Sequence, residues 1–429
     1  MGLLIIRNII LDRKPGMLVV QDGRILSFEQ EQPAESSAKI YDGQGCHLLP
    51  SLIDVHVHLR EPGFEYKETI NTGLAAAAGG GFGRVLAMAN TSPVNDSASV
   101  TRFMLRQNQE FHPHGPFVHP VGALTRGLAG RELSPLSELK DAGCRAFSND
   151  GLPVKDSELF RRAVEYASDL GMLVIDHCED SYLSAEGVMN EGRVSGYLGL
   201  KGIPSVAESL EVARDILLAA YLDAPVHLAH ISCEESLELI AWAKDKSIPV
   251  TAETCPHYLL WDEEIVRGYN TMAKVNPPLR RRKDVLAMRD AVKTGVIDII
   301  ATDHAPHADF EKDVPFAQAP NGISGLDTAL SLCLELVRDK VLDLGDLAAL
   351  MSTSPGRIFS LPVNTFLKGD PADFILVDME HEWEVTPEAM FSMGKNTPCL
   401  GRKLKGRVMA HFIEGKEIFS RMSRTKTTG

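Results

Sequence analysis

The middle of the chain alternates between short apolar runs and stretches of helical character, and this alternation constrains the fold more than any other feature. The apolar runs lie near 49–57, 83–89, 116–123, 143–147, 172–176, 225–229, 248–252 and 296–301. Stretches that read as helices separate most of them, including 155–170, 208–221 and 234–245. Eight strands alternating with helices is the count of a closed (β/α)8 TIM barrel. A doubly wound open α/β sheet is the alternative.

The two ends of the chain read as β-strands instead. Segments rich in Leu, Ile and Val occupy 3–11, 17–28, 372–378 and 407–419. Asp22-Gly23 and Glu414-Gly415 are two-residue hairpin signals. Because an isolated hairpin is barely stable, we expect both ends to join in one small β-sandwich. The predicted division is a composite sandwich domain at 1–48 and 363–429 and a catalytic barrel at 49–362.

Composition argues against several classes of protein. The 429 residues carry a formal net charge of −14, whereas a general nucleic-acid binder carries a basic face. No run approaches the roughly 18 to 20 apolar residues that are needed to cross a bilayer. The seven cysteines are scattered singly without a C-x-x-C pair, so neither a disulfide framework nor a thiolate zinc site is indicated. We therefore expect a cytoplasmic protein that acts on a small molecule.

The side chains that close the apolar runs are the most informative, because the C-terminal ends of barrel strands face the catalytic mouth. Histidine and aspartate recur at these positions: His56, His58, Asp150, His177, His230 and Asp303. A lone buried histidine is usually a hydrogen-bonded core residue. Four imidazoles and two carboxylates at one end of a barrel, however, carry a heavy desolvation cost unless a cation compensates it.

Imidazole and carboxylate ligands without thiolate suit zinc or a related divalent metal. Six ligands exceed what one tetrahedral zinc takes, so of one or two ions per subunit we favour two. The predicted division gives His56, His58 and Asp303 to one ion and His177 and His230 to the other, with Asp150 as the bridge. Neighbours expected to be structural, not ligands, are Cys178, Glu253, His257 and His304.

Several longer elements resemble those of the bacterial type I dihydroorotases, in the cyclic amidohydrolase superfamily. They are PSLIDVHVHLREPG (50–63), MANTSP (88–93), FSNDG (147–151), GRVSGYLGLKGIP (192–204), ATDHAPH (301–307) and NTPCLGRKLKGRV (396–408). The resemblance spans nearly the whole chain. The His-x-His pair is common to the superfamily, whereas its extension to Leu-Arg-Glu-Pro-Gly is much narrower.

The resemblance implies the reversible cyclisation of N-carbamoyl-L-aspartate to L-dihydroorotate in pyrimidine biosynthesis. It implies that Asp303 is the proton carrier and that Asn276 contacts the substrate ring. The residues that it implies for the substrate carboxylate are Arg60, Asn90 and His307. The expected substrate-binding set is completed by His58 and by Asn321 and Gly322 in the substrate loop.

The sequence departs from the family pattern at three places. Ala89 stands where the family commonly has proline, and Asn321-Gly322 stands where it has Phe-Gly. Strand four carries no lysine of the kind that many relatives carboxylate to bridge their metals, so Asp150 must serve. We expect the segment 307–322, with its mixed charges and prolines, to be the lid over the substrate.

Other cyclic amidohydrolases are the nearest alternative, namely hydantoinase, dihydropyrimidinase and allantoinase. They generally carry the strand-four lysine and need no carboxylate clamp such as Arg60. A non-catalytic homologue that acts as a scaffold for aspartate carbamoyltransferase is a further alternative, but it would have no reason to keep all six ligands. We expect a homodimer, and an association with aspartate carbamoyltransferase is compatible with activity.

Overall fold

The computed structural model describes residues 2–29 and 38–422. The strands in chain order are β1 (Leu3–Leu11), β2 (Lys14–Gln21), β3 (Arg24–Glu29), β4 (Lys39–Pro50), β5 (Leu52–Val57), β6 (Phe82–Ala87), β7 (Phe117–Ala123), β8 (Ala146–Ser148), β9 (Leu173–Asp176), β10 (Met189–Asn190), β11 (Gly202–Ile203), β12 (Val226–Leu228), β13 (Val250–Thr254), β14 (Ile299–Ile300), β15 (Phe374–Glu384), β16 (Lys403–Ile413) and β17 (Lys416–Ser420).

The α-helices lie mainly between the central strands. They are α1 (Ile70–Gly80), α2 (Ala98–Phe111), α3 (Leu136–Ala142), α4 (Ser157–Asp169), α5 (Arg193–Leu198), α6 (Val206–Leu222), α7 (Glu234–Asp245), α8 (Pro256–Leu260), α9 (Arg282–Thr294), α10 (Asp309–Lys312), α11 (Ala329–Arg338), α12 (Leu344–Ala348) and α13 (Ser354–Ile358). Among the described residues, no helix is both long and apolar enough to cross a membrane.

Eight parallel strands form the central sheet, and their spatial order follows the chain: β5, β6, β7, β8, β9, β12, β13 and β14. The first and last strands are joined just beyond their C-terminal ends, because Val57 and His304 form a parallel bridge. There the His58 backbone N–H donates to the His304 carbonyl over 2.8 Å. The predicted (β/α)8 barrel is confirmed, and its closure brings the two ends of the eight-strand series together.

Local sequence explains why the connecting segments are helical. In α4 the side chain of Asp156 accepts hydrogen bonds from the Glu158 and Leu159 backbone N–H groups, which caps the first turn. The buried residues of α4, at helical spacing, are Phe160, Ala163, Val164 and Ala167. This single apolar face packs on β9, so that hydrophobic burial holds the helix against the barrel.

The strands at the two chain ends form one seven-stranded sheet in the order β17, β16, β15, β4, β1, β2 and β3. Both predicted hairpin turns are present, and both residues of each turn have positive φ: Asp22 50°, Gly23 82°, Glu414 48° and Gly415 70°. The sheet curls on itself. Tyr41, on the first half of β4, lies 5.1 Å from the Phe412 ring centroid and 3.2 Å from the Ser420 Oγ at the far edge. A small domain built from both termini is confirmed.

The terminal sheet is coupled directly to the barrel. Strand β4 runs to Pro50 and β5 begins at Leu52, so a single residue separates the two sheets. A buried ion pair between Arg84 of β6 and Asp373 beside β15 is a second connection, with 2.8 Å between Nη1 and Oδ2. The strand β5, which carries His56 and leads directly into His58, is therefore anchored at its N-terminal end by the terminal sheet. Of the tail, residues 423–429 lie outside the described residues.

Candidate active site

A cavity of about 160 Å³ opens at the C-terminal ends of the barrel strands. Its lining residues are His58, Arg60, Asn90, Asp150, Gly151, His177, His230, Asn276, Asp303, Ala305, Asn321 and Gly322. All the metal-ligand and substrate-binding residues expected from the sequence line this cavity except His56 and His307, which are buried behind the lining residues. His56 is completely buried and His307 is 4% exposed. The expected ligands and substrate contacts are thus brought together in one place.

The carboxylate of Asp150 lies between the four imidazoles. Its Oδ1 is 3.3 Å from His56 Nε2, 3.4 Å from His230 Nε2 and 3.5 Å from His177 Nδ1. Its Oδ2 is 3.5 Å from His58 Nε2. A carboxylate in this position has an oxygen for a cation on either side, which is the geometry that a bridging ligand requires.

The second aspartate completes one side of the cluster. Asp303 Oδ1 lies 3.2 Å from His58 Nε2 and 3.7 Å from His56 Nε2. His56, His58 and Asp303 have ligand atoms within 4.8 Å of one another. On the other side, His177 Nδ1 and His230 Nε2 are 2.9 Å apart. His56 is also grouped with Asp150 and His230, so it lies nearer the middle of the cluster than the sequence-based division implied.

Buried polar partners orient the ligand rings. Glu253 Oε1 accepts a hydrogen bond from His56 Nδ1 over 2.7 Å, which leaves the Nε2 lone pair of His56 directed at Asp150 and Asp303. Glu253 Oε2 lies 3.1 Å from His227 Nε2, so the carboxylate is itself held. Such carboxylate–histidine pairs fix the tautomer and raise the basicity of a metal ligand. From the sequence we expected Glu253 to be structural, whereas the structure places it as the partner that orients His56. The available signal was its position directly after the apolar run 248–252.

Asn90 has an orienting role in addition to the substrate contact that we expected. Its Oδ1 accepts from His58 Nδ1 over 2.8 Å, which again leaves the Nε2 lone pair free on the cavity side. Asn276 Nδ2 similarly lies 3.3 Å from His177 Nε2. His304 points away from the cavity, with Nε2 3.4 Å from the buried Glu68. Cys178 also points away, and its Sγ lies 3.7 Å from Asp215 Oδ2.

The donor set fits a divalent metal. His56 Nε2 is completely buried and has no hydrogen-bond partner among the described residues, although two carboxylate oxygens lie within 3.7 Å. A buried imidazole nitrogen without a partner is costly, and a cation placed among these groups would accept its lone pair. The residues that would hold such ions are His56, His58, Asp150, His177, His230 and Asp303.

Without a cation, these groups compete for protons. Burial disfavours a charged His56, but the carboxylates of Asp150 and Glu253 outweigh it and raise the His56 pKa well above the usual value. Burial likewise opposes ionisation of Asp150, yet the charge of His56 and hydrogen bonds from His177 and His230 hold the Asp150 pKa well below the usual value. Metal binding would replace the shared protons, which makes metal affinity depend on pH.

Arg60 lines another part of the cavity wall, and other cationic side chains lie behind it. Arg60 donates from Nε to the Pro306 carbonyl over 3.2 Å, and its Nη2 lies 3.4 Å from His307 Nε2. Lys67 Nζ lies 3.4 Å from His307 Nδ1 and pairs with Glu311 at 2.8 Å. Burial and the charges of Arg60, Lys312 and Lys67 lower the His307 pKa to about 2. His307 is therefore neutral, with its proton on Nε2, where it donates to the Asn321 carbonyl over 2.9 Å.

Two buried lysines hold the segment 307–322, which we expected to act as a lid. Lys312 is 2% exposed, and its Nζ donates to the Pro320 carbonyl over 2.7 Å. Lys274 Nζ donates to three carbonyls of the same segment, at 2.7–3.1 Å, those of Phe316, Ala317 and Ala319. Burial and the charges of Lys274 and Arg60 lower the Lys312 pKa to about 7. Any opening of this segment would break these hydrogen bonds.

At Gly322 the substrate loop lies close to the segment that follows β14, which contains Ala305 and His307. Its φ is +142°, and a Cβ there would lie 2.6 Å from the Ala305 carbonyl oxygen and 3.1 Å from His307 Nε2. Only glycine fits this position without strain. The Gly322 N–H donates to the Lys274 carbonyl over 2.9 Å, so this expected backbone donor already has a partner. The Asn321 side chain is exposed at the rim of the cavity.

Three residues of the site have left-handed backbone conformations. Arg60, His230 and Asp303 have φ of 62°, 34° and 47°, in the left-handed region that residues with a Cβ seldom adopt. Such strain costs of order 1–3 kcal/mol per residue and persists where the surroundings over-determine it.

Known proteins resemble the chain in sequence and in structure. Residues 45–236 match the model of the family described as Dihydro-orotase-like. The dihydroorotase of Geotalea daltonii is 47% identical over 404 residues, which cover 94% of this chain and 95% of the relative. That of Pelobacter propionicus is 45% identical over 426 residues, covering 98% of this chain and 100% of the relative.

Among solved structures, the L-hydantoinase from Arthrobacter aurescens matches with a TM-score of 0.85 at 20% identity, covering 99% of this chain and 97% of that one. The dihydropyrimidinase from Brevibacillus agri NCHU1002 matches with a TM-score of 0.82 at 23% identity, over 97% and 95% of the two chains. These likenesses show a shared fold. Because these relatives are 45–47% identical over nearly the full chain, this chain belongs to the dihydroorotase family.

Proposed function

We propose that the protein is a dihydroorotase, which catalyses the reversible cyclisation of N-carbamoyl-L-aspartate to L-dihydroorotate with loss of water. The observation that supports this most is one cavity with two different walls. The first wall carries the six metal-ligand candidates, and the second carries Arg60 and neutral His307 among lysines. A cyclic amide that also bears a carboxylate would contact both walls at once, whereas a neutral ring would leave the cationic wall without a partner.

Two zinc ions per subunit are proposed, bridged by Asp150. Once bound, such ions would lower the pKa of a water molecule, polarise the ring carbonyl and stabilise the oxyanion that develops there. The cluster supports this count because Asp150 presents one oxygen to His56, His177 and His230 and the other to His58. Against four positive charges, the two aspartates leave the centre cationic, which favours an anionic substrate.

Asp303 is proposed as the proton carrier. In the hydrolytic direction its carboxylate takes a proton from the attacking water and passes it to the ring nitrogen as the C–N bond breaks. The second proton of the water is released when the product carboxylate ionises. In ring closure the substrate carboxylate takes up one proton from solvent, the ureido nitrogen attacks its carbon and loses a proton to Asp303, and Asp303 passes that proton to the oxygen that leaves as water. Asp303 suits this role because it lines the cavity and its Oδ1 lies 3.2 Å from Nε2 of His58, among the proposed metal ligands.

Substrate orientation is assigned to the cationic wall. The planar guanidinium of Arg60 has two donors for the free carboxylate, and Asn90 has one. His307 would offer its Nε2–H in exchange for its hydrogen bond to the Asn321 carbonyl. Asn276 is proposed to contact the ring, because it lines the cavity beside His177. His58, Asn321 and Gly322 complete the proposed set.

The proposal is tested with purified protein reconstituted with defined equivalents of zinc. Turnover of L-dihydroorotate and N-carbamoyl-L-aspartate is measured alongside dihydrouracil, hydantoin and allantoin, and bound metal is counted in the same samples. We expect activity on the first pair to rise with zinc up to two ions per subunit, and to disappear after chelation. Hydrolysis of dihydrouracil, hydantoin or allantoin with dihydroorotate left untouched would overturn the proposal.

We also propose that the protein is a homodimer. The outer face of α6 supports this, because large apolar side chains recur on it at helical spacing: Val206 (48% exposed), Leu210 (50%), Leu217 (62%) and Tyr221 (76%). Apolar stripes of this kind mark interaction surfaces. Light scattering should give the mass of a dimer for the wild type, and Leu217→Glu should give a monomer.

Two further proposals concern the cell. A cytoplasmic location is supported by the seven cysteines, which are all free and buried, as expected in a reducing compartment. Association with aspartate carbamoyltransferase is proposed from the family resemblance. Co-purification of the two proteins at native levels tests it, and separate elution at micromolar concentrations of both would count against it.

A further inference from the structure

The C-terminal segment around Asn396 contacts the site from behind, although it contributes no side chain to the cavity. Asn396 is 1% exposed and all of its amide hydrogen-bonding groups are engaged with backbone. Its Oδ1 accepts from the His307 N–H over 2.8 Å. Its Nδ2 donates to the Ala305 carbonyl over 3.0 Å and to the Gly322 carbonyl over 2.9 Å.

These three backbone groups belong to the two segments that form the carboxylate end of the cavity. Ala305 and His307 follow β14, while Gly322 ends the substrate loop. The two segments also touch directly, because His307 Nε2 donates to the Asn321 carbonyl over 2.9 Å. The carbonyls of Ala305 and Gly322 both face the Asn396 amide, and without its N–H groups two acceptors would be buried side by side without a donor.

The neighbours of Asn396 leave the segment little freedom. A Cβ on Gly394 would lie 2.6 Å from Pro306 Cβ and 2.8 Å from the His307 nitrogen, so the two backbones are in close contact. The Ser324 N–H donates to the Asn396 carbonyl over 2.9 Å, and this hydrogen bond holds the backbone of Asn396 in place. The amide is thus placed by packing on both sides.

The chemistry of the position requires asparagine. One acceptor and two donors are needed on a short planar group, and Asp has no donor while Ser and Ala are too short. We infer that Asn396 is a positioning residue for substrate binding: it locks the His307 segment to the substrate loop, so that His307 and Arg60 meet the substrate carboxylate in register. This inference rests on the proposed dihydroorotase function and adds a residue outside the barrel to it.

The expected effect is specific to substrate binding. In Asn396→Ala and Asn396→Asp the KM for L-dihydroorotate should rise at least tenfold, with a smaller fall in kcat and an unchanged zinc content. Asn108→Asp is the matched control. Asn108 also joins backbone groups by its amide, with Pro116 at 2.9 Å and Val118 at 3.0 Å, but at the N-terminal ends of the strands, opposite the cavity. That control should lose stability with KM unchanged.

A double-mutant cycle separates positioning from general support. If Asn396 acts through His307, Asn396→Ala should cost little further affinity in a His307→Ala background. Additive losses, or a KM within twofold of wild type in the single variants, would overturn the inference. Should Asn396→Asp fail to fold, Asn396→Ala and the cycle still decide the question. Absence of dihydroorotate turnover by wild type would instead refute the proposed function, so the two failures are distinguishable.

Discussion

Replacing Arg60 by methionine tests the proposed substrate most directly. Methionine keeps a long, flexible side chain and removes the charged guanidinium, whose Nε and Nη2 lie beside Pro306 and His307. We expect the substrate carboxylate to lose two charge-assisted hydrogen bonds while the cluster of metal-ligand candidates stays intact.

The magnitude follows from those two bonds. A hydrogen bond to a charged group is worth about 1.5–3 kcal/mol, so two are worth about 3–6 kcal/mol, or roughly 10²- to 10⁴-fold in kcat/KM. Most of the loss should be in KM, because the carboxylate is remote from the reacting carbonyl. Arg60→Lys should recover part of the loss through its charge, but not the bidentate geometry.

The assay is the loss of ultraviolet absorbance as L-dihydroorotate is hydrolysed, with bound zinc measured in the same preparations. Dihydrouracil, the same ring without the carboxylate, is the comparison substrate, and the variant should discriminate less between the two. A KM for dihydroorotate within threefold of wild type would refute the reasoning. So would a loss of zinc as large as the loss of substrate affinity, because Arg60 would then support the cluster and not the substrate.

Three further outcomes are expected. Asp303→Asn should lower turnover in both directions by about 10²- to 10⁴-fold with folding preserved and part of the metal retained; near-normal rates would remove Asp303 as proton carrier. Glu253→Gln should weaken zinc binding about 10- to 100-fold in a chelator competition, because the orientation of His56 is loosened, whereas Glu263→Gln should not. Burial lowers the His411 pKa to about 4, so the folded protein should lose roughly 3 kcal/mol as pH falls from about 6.5 to 4. His411→Gln should flatten this part of the stability curve measured by urea unfolding, and an unchanged slope would contradict the assignment.

Features that depend on a few adjacent residues could be predicted from the sequence. The eight apolar runs identified the barrel strands, and α7 lies at 234–245 as the pattern indicated. The hairpin dipeptides were correct because the turn requires positive φ at both residues, a property of the local chain. His56 and His58 could be placed on one face for the same reason, since the alternation of a strand is local.

The set of residues that meet at the site could be predicted from the topology of the barrel. Once the strand order of a barrel is assumed, residues at the ends of successive strands must meet at one rim, which is why the six ligand candidates could be named together. The sequence could not show that His56 lies between both halves of the cluster, because that depends on how each ring is rotated by its partners.

The sequence by itself therefore determined the barrel, the hairpins and the collection of imidazoles and carboxylates, because each follows from spacing along the chain. Only the tertiary structure decided that Glu253 orients His56, 197 residues away, and that Asn396 holds the His307 backbone, 89 residues away. The roles of Lys274 and Lys312 in holding the segment 307–322 could not be predicted from the sequence either. Their partners are backbone carbonyls, which are the same in every residue, so only packing selects which of them a buried donor meets.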